Sequence, residues 1–352
     1  MSGGALMRSP LTSARRVVVP EITAAHALWP MPGRDTLVEV SGESMGTTWS
    51  AKLYATSNSC APQVRRTIQD ALDHVVDEMS PWVTTSALSK FNSAPAGSWH
   101  TLPVNFFAVL KTALTIARDS NGAFDPTLGA LTDAWGFGPS AVPCSPPGAH
   151  DTERMLASAG WQRLEIDHAQ RRVCQPGGLH IDLCGIAKGF AVDQAARALK
   201  RLGVRDFLVE VGGELRGEGV KPDGTPWWVA LEQPPIGNSP EAAVSDIVMA
   251  LHGLSVATSG DYRRFFEHGD RCYAHTIDPA SGRPLANGVA AATVLHKSCM
   301  WADALATAMM VMGAEAAVAF ARPHRIAARI VQRTPQGFSE TLTPAFEALL
   351  EA

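Results

Sequence analysis

Apolar residues recur along this chain with two distinct periods. In "PQVRRTIQDALDHVVDEMS" the residues Val64, Ile68, Leu72, Val75 and Met79 fall three or four apart, the spacing that gathers side chains on one face of an α-helix. "NFFAVLKTALTIARDSNG" predicts a second helix and ends at Asn121-Gly122, a helix stop signal. "AKGFAVDQAARALKRLG" predicts a third, closed by Gly203. "TLVEVSGESMGTTWSAKLYA" alternates instead around a Gly-containing turn, which predicts a hairpin. From Trp161 onward short strand-like runs dominate: "RLEIDHAQRRVCQ", "LHIDL", "FLVEVGGELRGEG", "WWVALEQ", "GLSVATSG", "RCYAHTID" and "AATVLHK". Strands joined by turns, with a few helices among them, predict an α+β fold rather than a parallel, doubly wound sheet.

One helical run has no polar face. "MWADALATAMMVMG", Met300 to Gly313, is almost wholly apolar, and such a helix is buried. Asp303 and Thr307 nevertheless sit four residues apart within it, on one face. A buried carboxylate needs a partner or a metal. One reading pairs the two as hard oxygen ligands for Mg²⁺, which fills its other positions with waters and phosphates. In the other, Thr307 bonds back to the Asp303 carbonyl and Asp303 pairs with a distant arginine. Thr307, Gly313 and Glu315 interrupt the run and its continuation, which favours a core helix followed by a second helix over a membrane span.

Composition narrows the class. The 352 residues are 46% hydrophobic and 18% charged, enough for one large or two ordinary domains. A net charge of -4, no basic block and 7% aromatics argue against a nucleic-acid partner. The six cysteines form no CxxC pair, so neither a zinc site nor a disulfide framework is expected, and reduced, mostly buried thiols are. Residues 1–36 read as a poorly ordered segment and 37–350 as one domain, with the Pro-rich "PSAVPCSPPGAH" marking a subdivision near 139–160. Pro20, Glu21 and His26 break the apolar stretch after Arg16. No clear signal peptide or lipobox is present, so the chain as written is expected in the cytoplasm.

Several stretches carry candidate chemistry. "HIDLCGIAKGFAVDQAARAL" runs from a strand through a turn into a helix N-terminus. Backbone N–H groups there, with Lys188, favour an anion; equally, Gly185 and Gly189 allow a tight turn. The stretch is neither a P-loop nor GxGxxG. In "NGAFDPTLGAL" an aromatic precedes Asp125, which suits a flat heterocycle or simply a turn before Pro126. Met45 in "SMGTTWS" and Trp82 in "MSPWVTTSALSKFN" either cover a ring or shape and fill the fold. "VATSGDYRRFFEHGDRCYAHTIDPASGRP" gathers Thr258, Ser259, Asp261, Arg263, His275 and Asp278. Turn chemistry explains "DPASGRP". His275 is either a structural histidine or a proton acceptor for an attacking hydroxyl.

Eight of these segments occur together in one order: "SMGTTW", "MSPWVTTSALSKFN", "GAFDPTLGAL", "IDLCGIAKGFAVD", "VEVGGELRGEG", "VATSGDYRRFF", "YAHTIDPASGRPL" and "ADALATAMMVMG". In that order the chain resembles the ApbE family, the FAD:protein FMN transferases, from roughly Gly42 to Gly313. The resemblance implies an ApbE-like α+β fold of antiparallel strands and packed helices, with FAD between a helical N-terminal part and a strand-rich C-terminal part. It implies Mg²⁺-dependent cleavage of FAD as substrate, transfer of FMN to a Thr or Ser hydroxyl of an acceptor protein, and release of AMP. The acceptor in this family is often a subunit of a membrane redox complex. It further implies a metal held by Asp303, Thr307 and the backbone carbonyl of Gly185. FAD contacts fall on Met45, Trp82, Ala123, Phe124, Asp125, Asp182, Lys188 and Ile277, and His275 becomes the base. Cys184, Ala87 and Trp301 depart from common family patterns. Many members carry an export signal or lipobox, so a periplasmic or membrane-associated location is the alternative to the cytoplasm. The rival readings are an FAD pyrophosphatase giving free FMN and AMP, and a non-catalytic flavin-binding protein. Mn²⁺ accepts the same ligands.

Overall fold

A wholly antiparallel eight-stranded sheet forms the middle of the computed structural model, which describes residues 16–20, 33, 35–140, 145–235, 246–335 and 337–350. Its strands run, edge to edge, Gly337–Leu342, Ala327–Thr334, Val289–His296, Leu254–Gly260, Glu214–Glu218, Phe207–Val211, Thr47–Ala55 and Thr36–Ser44. The α+β class expected from the turn-linked strands is the one observed. The predicted N-terminal hairpin is present with Ser44 opposite Thr47 and Met45-Gly46 at its tip.

Both faces of this sheet are covered, which explains why its central strands do not alternate in polarity. In Val289–His296, Ala292 and Val294 point into the helical side, where Ile68, Leu72, Val192, Ala306 and Met309 pack. Leu295 points the other way, into a second core with Trp227, Met249, Val256 and Phe346. A strand buried on both faces reads as one continuous apolar run. The helical side includes Ala61–Met79, Val104–Asp119, Ala187–Arg201, Cys299–Met312 and Ala314–His324. The opposite side is a three-stranded sheet of Arg16–Val18, Ile247–Leu251 and Trp227–Ala230.

Some expectations need correction. Most of the segment 1–36 lies outside the described residues, but Arg16–Val18 is a strand paired in parallel with Ile247–Met249, and Val18 is fully buried. Its apolar side chains complete the second core, so low order does not hold for these three residues. "LHIDL" is not a strand. Asn92 takes both backbone groups of Ile181, donating to its carbonyl at 2.9 Å and accepting from its N–H at 2.8 Å, where a neighbouring strand would bond. "RCYAHTID" is split: Arg271–Ala274 pairs with Phe265–His268, and Ile277–Asp278 with Arg283–Pro284. In the Pro-rich loop, residues 141–144 lie outside the described residues. The helix after it, Ala149–Ser158, packs Met155 and Leu156 on a satellite cluster of Leu131, Trp135, Phe137, Phe266 and Ile277. The five described cysteines are free thiols, but only Cys299 is buried. Among the described residues no helix is long and apolar enough to cross a membrane.

Two helices cross unusually closely. Ala187–Arg201 passes Cys299–Met312 at Gly189, where an added Cβ would lie 2.2 Å from the Cys299 carbonyl oxygen. One turn further along, Asp193 is buried and caps the second helix from outside it. Its carboxylate accepts from the Cys299 N–H at 3.0 Å, the Met300 N–H at 3.2 Å and the Ser298 hydroxyl at 2.6 Å. Ser298, at the N-cap position, makes no side-chain cap of its own. Helix N-termini leave N–H groups that need such acceptors.

Gly189→Ala is expected to destabilise the fold by about 3 kcal/mol, the upper end for an overpacked core. Asp193→Ala is expected to cost about 2 kcal/mol through the lost cap. Urea unfolding of both variants checks this, and unchanged midpoints would contradict the close crossing.

Candidate functional site

The helix crossing fixes the first functional group. Asp303 is 3% exposed, and its Oδ2 accepts from the Gly189 N–H at 2.9 Å. Gly189 lies in the first turn of its helix, where a backbone N–H has no intrahelical carbonyl, so Asp303 supplies the missing acceptor. Thr307 stands one turn beyond Asp303, and a Cβ on Gly185 would lie 3.1 Å from its Oγ1. The Asp303 carboxylate, the Thr307 hydroxyl and the backbone at Gly185 therefore line one place.

Part of the alternative reading is also present. The Thr307 hydroxyl lies 3.3 Å from the Asp303 carbonyl and 3.1 Å from Ser259 Oγ. A hydroxyl that donates still keeps lone pairs for a cation. Among the described residues no arginine hydrogen-bonds Asp303; its partner is the Gly189 N–H, with the Lys188 and Arg263 charges nearby. Burial pushes the Asp303 carboxyl up, against the pull of Lys188 and the Gly189 N–H. Among the described residues no group of three or more His, Cys, Asp or Glu side chains surrounds a common metal position. A cation at this place would rest on the mixed oxygen set, which suits Mg²⁺ or Mn²⁺ and not zinc.

Lys188 projects from the first turn of the same helix. Its Nζ meets Glu214 Oε1 at 2.5 Å. Burial opposes its charge, but Glu214 and Asp303 outweigh that and raise its pKa. Glu214 is 1% exposed, and burial lifts its carboxyl to about 7 against the pull of Lys188. It was not singled out from the sequence. The available signal was "VGGE", a glycine pair with positive φ at a hairpin turn directly before a carboxylate.

These groups open into one cavity of about 200 Å³. Ala123, Phe124, Asp125, Asp182, Gly185, Lys188, His275, Ile277, Asp303 and Thr307 all line it. Segments separated by up to half the chain are thus brought together. Trp82 is 49% exposed and lines an adjoining cavity of about 500 Å³. The two cavities share Thr132, Phe137, Asp182 and Cys184. Met45 lines neither. It holds a positive φ at the hairpin tip and leans on the main core.

Loop carboxylates shape the walls. Asp125 accepts from the Thr127 N–H at 2.9 Å, its hydroxyl at 2.6 Å and the Trp161 N–H at 3.2 Å. The turn reading therefore accounts for its carboxylate, although the residue also faces the cavity. Asp182 accepts from the Cys184 N–H at 2.8 Å and so sets the bend that presents Gly185. His275 places Nδ1 3.1 Å from the Arg264 carbonyl. A carbonyl only accepts, so Nδ1 carries the proton and Nε2 is the basic nitrogen. Burial lowers the His275 pKa to about 4, which leaves the ring neutral at pH 7.

Comparison with known proteins gives a consistent picture. The ApbE family profile matches residues 45–330. An FAD:protein FMN transferase of Vibrio cholerae is 37% identical over 314 residues, covering 89% of this chain and 92% of that protein. One from Haemophilus influenzae is 34% identical over 322 residues, covering 90% and 92%. The crystal structure of the flavinyl transferase ApbE of Pseudomonas stutzeri, in its apo form, superposes with a TM-score of 0.81 at 39% identity, covering 90% of this chain and 98% of that one.

The His275 environment predicts a pH effect on stability. The folded pKa of about 4 lies below the ordinary 6.5, so the unfolded chain takes up the proton first as pH falls. The contribution of this residue is complete above pH 6.5 and is lost between 6.5 and 4, by at most about 1.4 kcal/mol per pH unit. Wild type should therefore lose more stability than His275→Gln between pH 7.5 and about 5 in paired denaturant titrations. Parallel losses would refute the half-buried neutral imidazole.

Proposed function

Because the chain belongs to the ApbE family, we propose that it transfers FMN from FAD to a Thr or Ser hydroxyl of an acceptor protein and releases AMP. The observation that supports this most is the gathering of Asp303, Thr307, Gly185, Lys188 and His275 around one cavity. The donor set would hold Mg²⁺ or Mn²⁺. When bound, the cation would supply positive charge against the pyrophosphate and the charge that develops on it.

The chain's own residues supply the rest. Lys188 adds a fixed ammonium on the same wall, and the burial around it keeps its field strong. The adjoining cavities give FAD an elongated seat, with Trp82 available for stacking at the outer end. His275 Nε2 takes the proton of the acceptor hydroxyl as that oxygen bonds to the FMN phosphorus. The phosphorus–oxygen bond to AMP breaks, and AMP leaves with the electron pair. An imidazole with a low pKa is a weak base but is wholly in its accepting form at neutral pH. The acceptor proposed is a folded or extended protein segment that offers an exposed Thr or Ser. A subunit of a membrane redox complex is one such partner.

The test is incubation with FAD and Mg²⁺, with and without an acceptor domain carrying an exposed Thr. Acceptor mass and AMP are measured together. A mass gain of FMN less water with matching AMP is expected. AMP with no labelled acceptor would replace the transferase by an FAD pyrophosphatase; bound FAD with no AMP would leave a flavin carrier. Asp303→Ala should abolish turnover with the fold kept, and chelation of the metal should do the same reversibly. His275→Gln should lower kcat by roughly 10²–10⁴-fold, the range for a lost general base.

A further inference from the structure

Glu214 is the group in the cavity wall whose position stability does not explain. It is 1% exposed. Oε1 meets Lys188 Nζ at 2.5 Å, while the buried Oε2 has no hydrogen-bond partner among the described residues. An unsatisfied buried carboxylate oxygen destabilises a fold. Replacing such an ion pair by apolar residues is often neutral or favourable, so the pair is weak evidence of a structural role.

The backbone around Glu214 is built to hold it there. Gly212 and Gly213 turn the chain into the strand with φ of +60° and +97°. A Cβ on Gly213 would fall 2.4 Å from Arg263 Nη2, and one on Gly212 would lie 3.4 Å from Lys188 Cδ. Arg263 donates through Nη1 to the Gly212 carbonyl at 2.7 Å and pairs through Nη2 with Glu232, which locks the turn from outside. The turn is thus clamped between the two cations, and Glu214, Lys188 and Arg263 all line the same cavity.

From this geometry we infer that Glu214 is a positioning residue for the transfer reaction: it holds the Lys188 ammonium at the cavity wall, where the phosphates of the dinucleotide bind. The inference rests on the transferase reading above for the identity of the ligand. Without an anchor, a four-carbon side chain samples many rotamers, and a lysine in this setting loses part of its charge to desolvation. The charged groups that act on Lys188 are Glu214 and Asp303, which favour its ammonium form, and Arg263, which opposes it. Glu214 is the one in direct contact.

The test uses Glu214→Gln in the full chain, with Glu214→Asp as the conservative variant. FAD affinity is read from flavin fluorescence across pH, separately from turnover. Glu214→Gln should weaken FAD binding roughly ten- to hundredfold, the size of a lost charge-assisted contact. The alkaline limb of its binding profile should move to lower pH, because Lys188 has lost its neighbouring anion. Glu214→Asp should recover part of both. A merely structural role predicts a lowered Tm with an unmoved pH profile in the folded fraction, and that result would overturn the inference. So would FAD binding equal to wild type. If wild type binds FAD but transfers nothing, the transferase reading falls, and the binding profiles still decide the role of Glu214. If Glu214→Gln does not fold, the Lys188→Met variant is compared with wild type. Unchanged FAD affinity there would remove the ammonium, and with it the anchor, from the site.

Discussion

The contact between two helices at Gly189 is the constraint from which the site follows. At that point the backbone of one helix touches the first turn of the other, with no side chain between them. Two carboxylates fasten the crossing. Asp193 from the first helix caps the second, and Asp303 from the second accepts from the first. The bonds run in opposite directions, so neither helix can slide or rotate without breaking one of them. Both acidic residues are buried, and each is balanced by N–H donors rather than left as a bare charge.

The rest of the architecture keeps that crossing in place and adds walls to it. The sheet lies under Cys299–Met312, with Leu254–Gly260 and Val289–His296 directly beneath. Because the opposite face is also covered, these strands carry apolar residues on both sides and form a stiff floor. Ser259 and Gly260, at the end of one of them, reach the cavity. The satellite cluster of Leu131, Trp135, Phe137, Phe266 and Ile277 holds the hairpin that brings His275 to the opposite wall. The cavity therefore lies where a packed floor, two crossed helices and a separately packed hairpin meet.

Much of this was legible in the sequence, and the failures have physical causes. Helical periodicity marked Val64, Ile68 and Leu72 correctly because one face of that helix is exposed. Polarity within an apolar run marked Asp303 and Thr307. "LHIDL" misled because its backbone is satisfied by the Asn92 side chain, a long-range partner that no local pattern shows. Arg16–Val18 escaped because a three-residue strand draws its order from Ile247–Met249 and from the second core. Asp193 and Glu214 escaped for a related reason. Each lies in an ordinary-looking segment, and its importance comes from what the chain brings to it: helix N–H groups over a hundred residues away for Asp193, and a lysine on the preceding helix for Glu214. Met45 was placed on the site by resemblance, yet its hairpin tip leans on the core.

The Gly189 N–H fixes Oδ2 of Asp303, and the same carboxylate lines the cavity. The carboxylate is thus oriented before anything binds, by a bond belonging to the helix pair.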